Sequence, residues 1–92
     1  MFPSNQSINC GLQVHCVRLS PLESGRVMVS GGTDRAVKVW DVPSGKELKS
    51  MRAPSSCNSL DLSLVDGGVA VSGHQDGSVR LWDLRSGEQV GR

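Results

Sequence analysis

The sequence predicts an all-β protein built of two four-stranded antiparallel sheets that repeat one another. An internal period is the first observation behind this. Trp40-Asp41 returns as Trp82-Asp83, 42 residues on, and the same step carries Val29 to Val71, Ser30-Gly31 to Ser72-Gly73, Asp34 to Asp76, Val37 to Val79 and Ser44-Gly45 to Ser86-Gly87. Upstream the step becomes 43, pairing Val17-Arg18-Leu19-Ser20 with Leu60-Asp61-Leu62-Ser63. The second observation is β-fashion alternation of apolar and polar residues around Val37-Lys38-Val39 in Ala36-Val37-Lys38-Val39-Trp40 and around Val79-Arg80-Leu81 in Ser78-Val79-Arg80-Leu81-Trp82, which is the period of a strand and not of a helix. The third is that turn-forming residues bound these runs at similar places in both copies.

Taken in order, each copy reads as strands a to d. Strand a covers Val14 to Leu19 and then Cys57 to Leu62, and strand b covers Arg26 to Ser30 and then Gly68 to Ser72. Strand c covers Ala36 to Asp41 and then Ser78 to Asp83. Strand d covers Glu47 to Met51 and then Glu88 onward. Val-rich stretches favour the pleated, half-buried surface of a sheet. Asp76-Gly77 supplies the glycine a tight b–c hairpin needs at positive φ, whereas Arg35 holds that place in the first copy and must adopt another geometry or accept strain. Pro43-Ser44-Gly45 suits a type I turn closed by a glycine bulge between c and d, and Arg85-Ser86-Gly87 repeats it without the proline.

Composition narrows the function. The chain has 92 residues and a formal charge of +1, ten basic against nine acidic side chains, so no strong field draws it to nucleic acid or to an acidic membrane. It carries no signal-peptide core and no apolar run of bilayer length, which predicts a cytoplasmic protein without direct membrane insertion. Cys10, Cys16 and Cys57 form no C-x-x-C pair, and together with His15 and His74 they match no zinc spacing, so reduced thiols and no metal site are expected. Gly31-Gly32-Thr33 precedes no Gly-Lys-Ser/Thr and is not a phosphate loop, and no nucleophile-elbow motif supports a hydrolase. No catalytic residue and no cofactor is expected.

A period of 40–45 residues with a Trp-Asp signature is that of a four-stranded propeller blade. Val27 to Asp41 and Val69 to Asp83 resemble the core of a WD repeat, over about residues 14 to 92. The resemblance implies a non-catalytic protein-interaction scaffold whose partners are proteins docked on the propeller surface. Residues 1–13 then form an N-terminal segment that could end a preceding blade, 14–51 the first repeat, and 52–92 a second with its last strand cut short. The family often carries a buried tetrad of Trp, Ser, Asp and a His from a Gly-His pair before strand a. Trp40, Ser30 and Asp34 match three of its places, and Trp82, Ser72 and Asp76 match them again. Cys10 and Ala53 stand where the histidine belongs, so both tetrads are expected to lack it. His74, expected in an exposed loop with Gln75, and their neighbours Thr33 and Arg35 in the matching loop are candidate partner contacts.

Ala53-Pro54-Ser55-Ser56-Cys57-Asn58 and Val71-Ser72-Gly73-His74-Gln75-Asp76-Gly77 also resemble the C-terminal propeller of the autophagy-related protein 16 family. That likeness implies docking of partners in autophagosome formation and recruitment to autophagic membranes. A ubiquitin-ligase adaptor or a trafficking scaffold is the alternative. Two blades form an incomplete ring, so the chain needs further blades or self-association, and a piece of a longer protein is the expectation.

Overall fold

The computed structural model describes residues 7–11, 13–20, 26–63 and 68–90. The expectations for residues 1–6 and for the chain end at 91–92 lie outside them. Eight strands run in order: β1 (Val14–Ser20), β2 (Val27–Gly32), β3 (Ala36–Asp41), β4 (Lys46–Arg52), β5 (Cys57–Leu62), β6 (Val69–His74), β7 (Val79–Asp83) and β8 (Glu88–Gln89). They form two antiparallel meanders, β1-β2-β3-β4 and β5-β6-β7-β8, the two-sheet all-β architecture that the repeat predicts.

Register explains which residues meet. Val29 pairs with Val39 and Gly31 with Val37, and directly opposed residues point to the same side, so Val27, Val29, Val37 and Val39 share one face of the first sheet. In the second sheet Leu60 lies opposite Ser72 and Ala70 opposite Trp82, which gathers Leu60, Ala70, Ser72 and Trp82 on one face. These two faces meet. The valines, with Met51, form one buried cluster with Cys57, Leu60, Ala70, Trp82 and Leu84. Each fully buried valine or leucine contributes about 1.5–3 kcal/mol. The sheets approach most closely where β5 lies against β1 and β2, and Arg18 Nε there donates to the Leu60 carbonyl at 3.2 Å.

The inner face of each sheet is not the same face. In the second sheet the Trp-Ser side turns toward its neighbour. In the first sheet the valine side does, which leaves Trp40, Ser30 and Met28 on the far side with Val17 and Leu19 of β1. Lys38 belongs to that far side. Its Nζ lies 3.2 Å from the Asp34 carboxylate, 3.4 Å from the Cys10 carbonyl and 5.9 Å from the centre of the Trp40 ring, within cation–π range, so it holds the Cys10–Gly11 stretch against this face.

The b–c turns answer the question raised by Arg35. Gly77 has φ 88° and Arg35 has φ 63°, so both copies use the same left-handed corner, one with a residue that has a Cβ. A non-glycine residue there costs roughly 1–2 kcal/mol, partly offset by the greater freedom a glycine has when unfolded. Arg35→Gly is therefore expected to raise the unfolding free energy by about 0.5–1 kcal/mol, read as a higher urea midpoint with an unchanged slope. In the c–d turns Gly45 and Gly87 sit at φ 73° and 77°, and each amide donates to the carbonyl of the Asp that ends the preceding strand, at 2.8 Å in both.

Candidate functional site

The buried polar chemistry starts from the tryptophans. Indole N–H is a donor with no acceptor capacity, so burying it demands a partner on the same face. Trp40 Nε1 donates to Ser30 Oγ at 2.9 Å and Trp82 Nε1 to Ser72 Oγ at 2.7 Å, in each case from the third strand of a sheet to the second. Ser30 and Ser72 are themselves buried.

In the second sheet the chain of bonds continues. His74 is buried, at 6% exposure, and closes β6 instead of standing in an exposed loop, which corrects the expectation for it. Its Nε2 lies 2.7 Å from Ser72 Oγ and its Nδ1 2.9 Å from the Ser55 carbonyl. A carbonyl only accepts, so Nδ1 carries the proton. Nε2 then accepts from the Ser72 hydroxyl, and that hydroxyl accepts from Trp82. Every donor in this line has an acceptor: Trp82 to Ser72, Ser72 to His74, His74 to Ser55. The second sheet is thus not short of a histidine, as expected from Ala53. It takes one from strand β6 itself, two residues beyond Ser72 and so on the same face.

The first sheet has Gly32 where the second has His74. A Cβ at Gly32 would overlap the Gln13 carbonyl, so no side chain fits there. Cys10 occupies the buried place on that side, its thiol 3.8 Å from the Ile8 carbonyl. The matching aspartates serve the turns. Asp34 accepts from the Ala36 amide at 3.3 Å, and Asp76 accepts from the Ser78 amide at 3.0 Å and the Ser78 hydroxyl at 2.7 Å. The Ser78 hydroxyl bond is the main reason the Asp76 carboxyl sits below its ordinary range, and the Ser44 hydroxyl does the same for Asp41.

The surface residues near the b–c turns are arranged alike in both copies. The Thr33 amide donates to the Gln13 carbonyl and the Gln75 amide to the Ser56 carbonyl, each at 3.0 Å. Arg35 and Gln75 are exposed and Thr33 is half-buried. Among the described residues no group of three or more His, Cys, Asp or Glu is placed to hold a metal ion, and no helix is long and apolar enough to cross a membrane. Sequence reasoning missed the inward aim of His74. The two-residue step from Ser72 along a strand was the signal that would have found it.

Two packed four-stranded meanders, each with an indole–serine bond from its third strand to its second and an aspartate capping its tight turn, define a scaffold of repeated β blades. The family model described as WD domain, G-beta repeat matches residues 5–41 and 45–83, most of the chain. The protein belongs to the WD-repeat family, whose repeats make protein-interaction scaffold domains that are generally non-catalytic. The second match opens before β4 and closes with β7, so the sequence repeat is offset by one strand from the sheet. Comparison with curated proteins gives no match.

Proposed function

We propose that this chain is a non-catalytic docking module that works within a larger ring of blades, and that second copies of the chain supply the neighbouring blades. One observation carries the reading. Val29, Val37 and Val39 are 0%, 0% and 4% exposed beneath the second sheet, whereas their counterparts Val71, Val79 and Leu81 are 37%, 65% and 42% exposed. What covers the first set is the face bearing Cys57, Leu60 and Trp82. Its counterpart on the first sheet includes Val14 and Val17, exposed at 42% and 45%, beside Leu19. The chain therefore offers at one end the apolar face that its other end is built to cover. Repeating the internal packing between copies gives a head-to-tail contact, which closes into a ring when its rotation divides a full turn.

Partner proteins would then meet the ring at the b–c turns, through Thr33, Arg35 and Gln75. The finer reading places this docking in autophagosome formation, in the cytoplasm and on autophagic membranes. Its support is the likeness of the Ser55-Ser56-Cys57-Asn58 and Ser72-Gly73-His74 stretches to the autophagy-related protein 16 propeller.

Light scattering after size exclusion tests the assembly. The chain is expected to run as one discrete oligomer, and Val79→Lys with Leu81→Lys to run as a monomer with an unchanged circular dichroism spectrum. A wild-type monomer at roughly 100 µM, well above a micromolar dissociation constant, would overturn it. Proximity labelling in starved cells tests the setting. Enrichment of lipid-conjugation proteins is expected, and enrichment of ubiquitin-ligase subunits or coat proteins instead would overturn the autophagy assignment.

A further inference from the structure

Where the two sheets meet, two thiols touch. Cys16 Sγ on β1 and Cys57 Sγ on β5 lie 3.7 Å apart, across the inter-sheet contact. The repeat does not ask for them. At the upstream step of 43, the counterpart of Cys16 is Ser59 and that of Cys57 is Val14. Each strand carries a bulge at the same place, His15 being the extra residue between Val14 and Cys16, and Asn58 the extra one between Cys57 and Ser59. Bulges re-aim the side chains beside them. Cys57 just before one bulge and Cys16 just after the other thus point into the same gap. Gly31 keeps that gap open, since a Cβ there would overlap Cys57 Sγ and press on Cys16 Sγ at 3.3 Å.

We propose that Cys16 and Cys57 form a reversible disulfide joining the two sheets when a peroxide-class oxidant is present. A disulfide has sulfurs about 2.05 Å apart, so the pair must close by roughly 1.6–1.7 Å, a distance two side-chain rotations can share. Cys16 is the entry point. It is half-buried and lines a cleft of about 330 Å³ between β1 and β5 with Arg18, Asn58, Ser59 and Leu60, while Cys57 is fully buried. The Cys16 thiolate attacks one oxygen of the peroxide, the O–O bond breaks, and a sulfenic acid and hydroxide result. The Cys57 sulfur then attacks the Cys16 sulfur, the S–O bond breaks, and water leaves with the Cys57 proton. Cys16 and Cys57 are together oxidised by two electrons and the peroxide is reduced by two.

At neutral pH the resting pair is two protonated thiols. Burial pushes Cys57 up to about 12, helped by neighbouring Cys16, and burial raises Cys16 as well, against the pull of its hydrogen bonds to Cys57 and Gly31 and of Arg18. The device is therefore slow toward weak oxidants. Once formed, the bond ties β1 to β5 and restrains the separation of the blades.

The test treats the folded full chain with hydrogen peroxide, denatures it in N-ethylmaleimide and maps the peptides. The expected result is one maleimide adduct, on Cys10, and a cross-linked peptide pair holding Cys16 and Cys57. The oxidised protein should melt higher by about 10 °C, and dithiothreitol should reverse the shift. Cys16→Ser and Cys57→Ser should each abolish the cross-link, and Cys10→Ser should keep it. Three adducts after oxidation, a bond involving Cys10, a bond between chains, or a pair that forms only in denaturant would each overturn the proposal. Should either serine variant fail to fold, the wild-type peptide map decides alone.

Discussion

Trp82→Ala is expected to lower the unfolding free energy by about 3–5 kcal/mol, since it removes a buried aromatic and leaves a cavity between the sheets. Trp82 is 3% exposed and belongs to the cluster that joins both sheets. The loss takes much of the roughly 5–15 kcal/mol that a domain has in total. Urea denaturation followed by circular dichroism reads it. Trp82→Phe separates the two parts of the effect. The ring volume largely stays but the N–H donor to Ser72 goes, so about 1–2 kcal/mol is expected. A Trp82→Ala variant as stable as wild type would mean that the sheets do not pack through this face.

His74→Leu is expected to cost about 1–3 kcal/mol, because the buried Ser72 hydroxyl and the half-buried Ser55 carbonyl each lose a partner while the volume is nearly kept. The Ser55 carbonyl loses the Nδ1–H donor and the Ser72 hydroxyl loses its Nε2 acceptor. A double-mutant cycle with Ser72→Ala tests the line of bonds directly. Coupling above about 0.5 kcal/mol is expected for residues in one network, and additive losses would show that His74 is held by packing alone. Thr33→Ala, at the matching turn of the first sheet, supplies a comparison free of any histidine.

The strands were legible because period-two alternation and turn residues act locally. Val37-Lys38-Val39 and Val79-Arg80-Leu81 read as strands in either copy, and both are strands. The indole–serine pairing was legible too, since the resemblance puts Ser30 with Trp40 and Ser72 with Trp82. The histidine was not. A motif places it before strand a, and the chain instead supplies it from β6, where only the inward side of the second sheet makes a buried acceptor of it.

The amino-acid sequence alone determined the repeat, the four strands in each copy and the turns, because backbone preference and side-chain alternation are properties of neighbours in the chain. Even the strained corner at Arg35 was marked by a missing glycine. The tertiary structure decided which face of each sheet looks inward. Alternation says only that a strand has two sides. That Val37 is covered while Val79 is bare depends on which sheet has a neighbour on that side, and no local pattern differs between the two. It also decided that Cys16 and Cys57, 41 positions apart, share one gap. Two bulged strands must be packed side by side before their side chains can meet.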